Sequence, residues 1–297
     1  MLPLATQVNN RSSFIELFAL VAGSVAVWWR PIAATSALAL NSDAHTHILL
    51  ILPLSVALAY VESKGKTLAF KSRGWMGAGS LTAALFLRGL ATWNIWHLSS
   101  NNQLSLNMFA LVIWWIGSVI LSFGSEALKL LLFPLCFLFL IVPFPEQVLK
   151  WITEALQHQS AVATSMLFRC AQIPVKRDGI LLSIPGLDIE VARECSSIRS
   201  SMMLIVTTMI LAQLFLRSWW RKTLLVAAAV PLSVAKNAVR IFTITGLATR
   251  VDPSFLEGQL HRNGGIVFLG LAAIVVLVLL WALRRSELRR PLSPSAL

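Results

Sequence analysis

Three residues of this chain have the side-chain types for acyl transfer through a thiol. Cys195 lies in ARECSSIRSSMM, where a polar segment gives way to an apolar run. A helix starting there aims unpaired N–H groups and partial positive charge at whatever precedes it. That favours the thiolate, which is the nucleophilic form. Ser196 or Ser197 can cap the helix, Arg193 and Arg199 add positive charge, and Glu194 opposes them. A lone buried cysteine is ordinarily an inert packing residue, so the assignment needs partners.

Arg240 is the first such partner. It stands in VAKNAVRIFTITG, inside an apolar span, where an ionisable group is costly and marks a functional site by default. Asn237, three residues earlier, shares its helix face and can orient it, and Lys236 is intramembrane too. Snorkelling is the competing account. Against it, Arg240 is some eight residues, about 12 Å of helix, from the expected end of its span. His261 stands in EGQLHRNGG, expected as an external loop before the last span, where an imidazole can serve as acid and base in turn. Gly264 and Gly265 would let the chain turn tightly into that span.

Other polar residues carry less. Arg88 is a further intramembrane charge, and Asp43, His45 and His47 crowd the entrance to the second span. Two histidines two residues apart, with no acidic or cysteine set to complete them, do not make a metal site, and neither metal nor cofactor is expected. HExxH, GxSxG and Walker A patterns are absent, which removes the usual supports for zinc protease, serine hydrolase and ATPase. The spacings of Cys136, Cys170 and Cys195 match no zinc or CxxC motif. Cys136, within LLFPLCFLFLIV, reads as lipid- or core-packed, and a Cys170–Cys195 disulfide stays open.

The elements that must position these residues are transmembrane helices. The chain has 297 residues, 57% of them hydrophobic and 13% charged, where a soluble domain carries about 25% charged residues. Eight apolar spans are expected, at roughly 13–29, 46–61, 77–94, 105–124, 128–144, 199–216, 222–248 and 264–283. The first, which follows Arg11, lacks a small-residue cleavage site and is read as a retained helix. The net charge of +12 gathers in short loops. Lys64, Lys66, Lys71 and Arg73 lie in one, Arg217, Arg221 and Lys222 in another, and Arg284, Arg285, Arg289 and Arg290 in the tail at 284–297. By the positive-inside rule these are cytoplasmic, and the Lys- and Arg-free loops 31–45 and 95–104 are external. Membrane lipids, with anionic headgroups, are the partners this charge implies. Without basic–aromatic interleaving, nucleic acid is not expected.

The expected fold class is therefore an all-α membrane protein, a single polytopic domain over 1–297. It is a bundle of about eight transmembrane helices with a small external cap at 145–198. Val148, Ile152, Leu156, Ala161 and Val162 recur at near-helical spacing, predicting an amphipathic helix along the outer membrane face. Asp178-Gly179 and Pro185-Gly186 are turn signals between short β-branched runs, predicting small strands.

Four stretches make the chain resemble the exosortase/archaeosortase family: FPLCFLFLIVPFP at 133–145, ECSSIRS at 194–200, NAVRI at 237–241 and LHRNGGIVF at 260–268. DAHTHILLILPL at 43–54 is similar more loosely, so the likeness runs from about 43 to 283. The resemblance implies a catalytic Cys195, Arg240 and His261; the capping Ser196 or Ser197, the charge of Arg199 and the orienting Asn237 are support read from the residues themselves. It implies cleavage of the C-terminal tripartite sorting signals of exported proteins at the outer face of the inner membrane, through a thioester. The product passes to an amine or lipid acceptor that the sequence does not identify. The family usually has glycine two residues after the cysteine, where this chain has Ser197.

Two other classes compete. A transporter of exopolysaccharide export would line a pathway with the intramembrane charges, but paired broken helices in two halves are not evident. In a non-catalytic membrane component of such export, Cys195 would be replaceable. The topology gives the first test. With both termini cytoplasmic and 145–198 and 249–263 external, reporter fusions at residues 70 and 180 report opposite sides of the membrane; the same side for both refutes the arrangement.

Overall fold

The computed structural model describes residues 4–66, 74–93, 96–191, 198–252, 254 and 259–289, with the side chains of 4–11 and 259–264 outside that description. The helices are α1 Leu4–Asn41, α2 Ile48–Ser63, α3 Gly74–Trp93, α4 Ser100–Phe123, α5 Ser125–Leu130, α6 Leu132–Phe137, α7 Glu146–Cys170, α8 Ile198–Phe215, α9 Trp219–Arg250 and α10 Gln259–Arg289. Three strands, β1 Lys176–Asp178, β2 Leu181–Ile184 and β3 Leu187–Glu190, follow α7. The fold is thus a largely helical membrane protein with one small sheet. Six helices are long and apolar enough to cross a membrane, or seven if Leu132–Ile141 and Glu146–Cys170 count as one broken span. The expected eight is approximate. The chain forms two compact units, Met1–Val148 and Leu149–Leu297.

In the first unit the expected loop at 31–45 is mostly helix. After Trp28, where φ −102° and ψ 16° break the helical run, α1 continues past Pro31 to Asn41. Proline removes one backbone donor and kinks the helix, but the Ala-rich segment beyond it is strongly helix-forming. Tryptophans tie α1 to α4. Trp28 Nε1 donates to the Asn107 carbonyl at 3.0 Å, and Trp114 Nε1 to the Leu20 carbonyl at 3.0 Å. Trp115 Nε1 donates to Ser24 Oγ at 3.0 Å. Each buried indole N–H thereby finds an acceptor that lipid cannot offer.

Along α4, α3 runs antiparallel and close. A Cβ on Gly77 would stand 2.7 Å from the Leu121 amide nitrogen, and one on Gly117 would stand 2.8 Å from Ser80 Cβ. Small residues let transmembrane backbones approach where no hydrophobic force drives them together. Nearer the other end of the pair, Gln103 Nε2 donates to the Ala91 carbonyl at 2.6 Å. By composition α3 falls outside the six candidate spans, with Arg88 and four glycines in its sequence. It nevertheless lies alongside α4, which is one of the six.

The expected span at 128–144 is broken into α5, α6 and a 3-10 turn at Leu138–Ile141. Gly124, at φ +82°, separates α4 from α5, and Leu131, at φ −98° and ψ 15°, separates α5 from α6. Pro134 lacks a backbone donor for a continuous helix. Its carbonyl instead accepts the Ser55 hydroxyl of α2 at 2.7 Å. Of the two expectations for Cys136, lipid-packed or core-packed, core packing does not hold: it is an exposed free thiol.

In the second unit α8, α9 and α10 meet over Leu204, Ala212, Leu216, Leu225, Ala272, Val276 and Leu280. The outward face of α10 is as apolar as this core. Ile266 is 75% exposed and Trp281 61%, as expected where the solvent is lipid. At the basic end Glu287 of α10 caps α9. Its carboxylate accepts from the Arg217 and Ser218 amides at 3.1 and 2.7 Å and pairs with Arg221 Nη1 at 3.1 Å. Ser218, the residue at the cap position, makes no side-chain cap bond. The carboxylate at a helix N-terminus also complements the helix dipole.

The close α3–α4 crossing has a measurable consequence. Gly77→Ala forces a backbone shift and lowers stability by about 1–3 kcal/mol, as overpacking does. Thermal unfolding of the purified protein in detergent checks this. Gly79→Ala, where a Cβ would meet nothing within 4 Å, serves as the neutral control.

Candidate functional site

The site is built on one face of α9. Ser233, Lys236, Asn237 and Arg240 are all buried there, at spacings of three and four residues that stack them on one side. Arg240 is 7% exposed, Lys236 6% and Asn237 0%. Arg240 is ten residues from the helix end at Arg250, about 15 Å, so α9 continues further past it than the sequence suggested.

Facing this ridge is the start of α8. Lys236 Nζ donates to Ser200 Oγ, and at the other end of the pair Lys222 Nζ donates to Gln213 Oε1 at 2.7 Å. The two bonds fix one antiparallel register. Residues 200 and 236 share a level, as do 213 and 222. Arg240 is therefore about one turn beyond the Ser200 level, towards the end at which α8 begins. Arg199 is exposed at that start, away from the buried ridge.

The cap seats on the residues next to Arg240. Leu182 of β2, Val191 after β3 and Ala161 of α7 form a buried cluster with Ile241, flanked by Val175, Ile180 and Ile189. Phe168 of α7 packs against Phe242 with the rings tilted by 57° and their centres 5.0 Å apart. Gln157 Nε2 donates to the Val191 carbonyl at 3.0 Å. The sheet is a meander in the order β1-β2-β3. Both expected turns are present, Gly179 at φ +60° and Gly186 at φ +84°. The second follows a proline, the pattern of a type II turn, which needs a positive φ at its third residue.

The expected α7 helix exists. Gln157, Ser160, Ala161, Thr164, Ser165 and Phe168 are buried in protein. Of the residues that set the expected apolar face, Ala161 is buried, Ile152, Leu156 and Val162 are half-buried, and Val148 is 41% exposed. The protein side is thus made mostly of small and polar residues; Thr164 Oγ1 donates to the Ser160 carbonyl at 2.7 Å and Ser165 Oγ to the Val162 carbonyl at 2.8 Å.

Of the predicted site residues, Arg240 and Asn237 are placed together and buried. Cys195, Ser196 and Ser197 lie outside the described residues. His261 falls on the first turn of α10 rather than in a loop, and its side chain lies outside the description. Gly264 and Gly265 are likewise inside α10, where helical backbone replaces the expected turn. Cys170 is a free, exposed thiol. The second cation's partner, Ser200, and the cap's seat on Ile241 and Phe242 escaped the sequence reading. Lys236 itself was visible as a charge in an apolar run, but its partner is 36 residues away on another helix.

His45 and His47 belong to the first unit. They are 3% and 2% exposed. Ser42 Oγ lies 3.1 Å from His45 Nδ1, and the His47 ring packs on Phe144. Among the described residues no group of three or more metal-ligating side chains converges.

The sequence model of the transmembrane exosortases matches residues 28–281. The chain belongs to the transmembrane exosortase family. The match takes in all three exosortase candidates, Cys195, Arg240 and His261, together with the cap between them. Neither a curated protein nor a solved structure matches the chain.

Because Leu182 is fully buried against this exosortase's α9, Leu182→Ala loosens the cap at a cost of about 2–5 kcal/mol. Limited proteolysis then cuts within 171–191 at protease concentrations that spare the wild-type cap.

Proposed function

We propose that the protein is a membrane cysteine transpeptidase or endopeptidase that cuts C-terminal sorting signals of exported proteins. The observation that carries this reading is the exosortase family match across Cys195, Arg240 and His261. A buried guanidinium beside the cap supports it, because a cation costly to bury earns its place where negative charge develops. Cys195 is three residues from Ile198, the first residue of α8. Chain geometry therefore keeps it within about 11 Å of that start, and Arg240 lies towards the same end of α8.

In this mechanism the substrate's apolar tail enters the bilayer and its scissile peptide meets the cap end. His261 takes the Cys195 proton. The thiolate attacks the carbonyl carbon, and Arg240 stabilises the resulting oxyanion. The intermediate collapses, the C–N bond breaks, and His261 returns the proton to the leaving amine. An acceptor amine, or water, then attacks the thioester and restores the thiol. Asn237 orients Arg240. Ser196 or Ser197 caps α8, and Arg199 adds positive charge at its start. The site lies on the external side of an inner membrane, both termini are cytoplasmic, and 145–198 is an external cap within one polytopic domain.

Cys195→Ala and Cys195→Ser abolish processing of a tagged substrate with a C-terminal sorting signal. Arg240→Ala slows alkylation of Cys195 by an external reagent, because loss of a nearby cation disfavours the thiolate. His261→Ala impairs turnover while labelling persists. Unchanged processing in Cys195→Ala refutes the enzyme reading.

A further inference from the structure

Arg88 of α3 is an intramembrane charge that the proposed reaction does not use. Its guanidinium carbon sits 4.9 Å over the ring of Trp28, which is fully buried. Its Nη1 reaches Asn107 Oδ1 at 3.5 Å, the outer limit of a hydrogen bond. Both supports are themselves fixed. Asn107 Nδ2 donates to the Gln103 carbonyl at 2.9 Å, and Trp28 Nε1 donates to the Asn107 carbonyl at 3.0 Å. Three helices thus hold one guanidinium in place.

What they do not supply is a counter-charge. Among the described residues no carboxylate lies within 4.0 Å of Arg88. A guanidinium has five donors, and here one of them makes a single long bond. An uncompensated cation within a span is expensive.

Its depth and surroundings identify the missing anion. Arg88 is five residues before Trp93, the end of α3, about 7.5 Å of helix. Trp93 is 79% exposed and Trp96 59%. Exposed tryptophans of this kind mark the headgroup level of a bilayer. One turn below Arg88 on α3, Leu85 and Phe86 are 49% and 67% exposed, an apolar surface suited to acyl chains. A planar fork, stacked on one face and open along its edge, matches two phosphate oxygens.

We propose that Arg88, held by Trp28 and Asn107, binds the phosphate of a phospholipid in the leaflet at the Trp93 end of α3. This is the outer leaflet in the orientation proposed above. The exposed Leu85 and Phe86 favour a lipid phosphodiester over free phosphate.

The test uses the full chain, purified in mild detergent and stripped of lipid, with thermal unfolding followed during titration. The additives are phosphatidylglycerol, a diacylglycerol with the same acyl chains and no phosphate, and inorganic phosphate. Native mass spectrometry counts the lipids retained. Phosphatidylglycerol is expected to raise the unfolding temperature of the wild type, and the other two additives are not. Arg88→Gln weakens that dependence about tenfold or more, the loss expected for hydrogen bonds to a charged group, and retains one phospholipid fewer. Arg88→Lys keeps a point charge without the fork, binds several-fold more weakly, and decides the matter if Arg88→Gln does not fold. The proposal falls if diacylglycerol stabilises as well as phosphatidylglycerol, or if both variants keep wild-type lipid affinity. An equal effect of inorganic phosphate reassigns the site to a free anion and overturns the lipid assignment.

Discussion

Charge inside an apolar solvent is the constraint on which the second unit's architecture depends. Lys236 and Arg240 stand one turn apart on α9, and both are buried. In lipid neither could be tolerated without protein around it. α8 lies against this face with its Ser200 hydroxyl as acceptor for Lys236, and the cap packs on Ile241 and Phe242 just beyond Arg240. The polar ridge is therefore roofed on two sides by elements that are distant in sequence. The same ridge explains why α9 can be strongly polar on one face and still cross a membrane. Its exposed residues include Leu224 and Val230, at 50% and 53%.

The first unit solves a different problem. Lipid tails are as apolar as leucine, so helices there cannot be joined by the hydrophobic effect alone. Close packing and satisfied polar groups take its place. Gly77 and Gly117 bring α3 and α4 into backbone contact. Indole and amide donors on Trp28, Trp114, Trp115 and Gln103 find acceptors on neighbouring helices. These contacts are specific in direction, and they fix the register that generic apolar surfaces leave loose.

The cap couples soluble-protein physics to this membrane scaffold. Strands β2 and β3 alternate in and out, with Leu182 and Ile184 buried on β2, and its turns use glycine at positive φ. A sheet this small cannot stand alone. It is stable because it shares a core with α7 and α9. That shared core holds the cap directly beside Arg240, so the cap and a buried cation are fixed by one packing unit.

How much of this was legible in the sequence follows from the range of each interaction. Apolar span length and the glycine turns are local signals, and the membrane-spanning helices, the small sheet and both its turns could be read directly. The cysteine, arginine and histidine motifs also carried the family, since their residue types and order survive in one dimension. The interruptions were harder. The first span was expected to end near residue 29, but Pro31 only kinks α1, because the alanine-rich segment beyond it favours helix. The histidine motif with its two glycines suggested a loop where α10 already runs. Which residues of α7 meet protein was not legible, because hydrophobic periodicity says which residues are apolar but not which side meets protein and which meets lipid. The pairing of Lys236 with Ser200, and the seat of the cap on Ile241 and Phe242, had no sequence signal at all. Each is made by residues dozens of positions apart, brought together only when antiparallel helices settle their register.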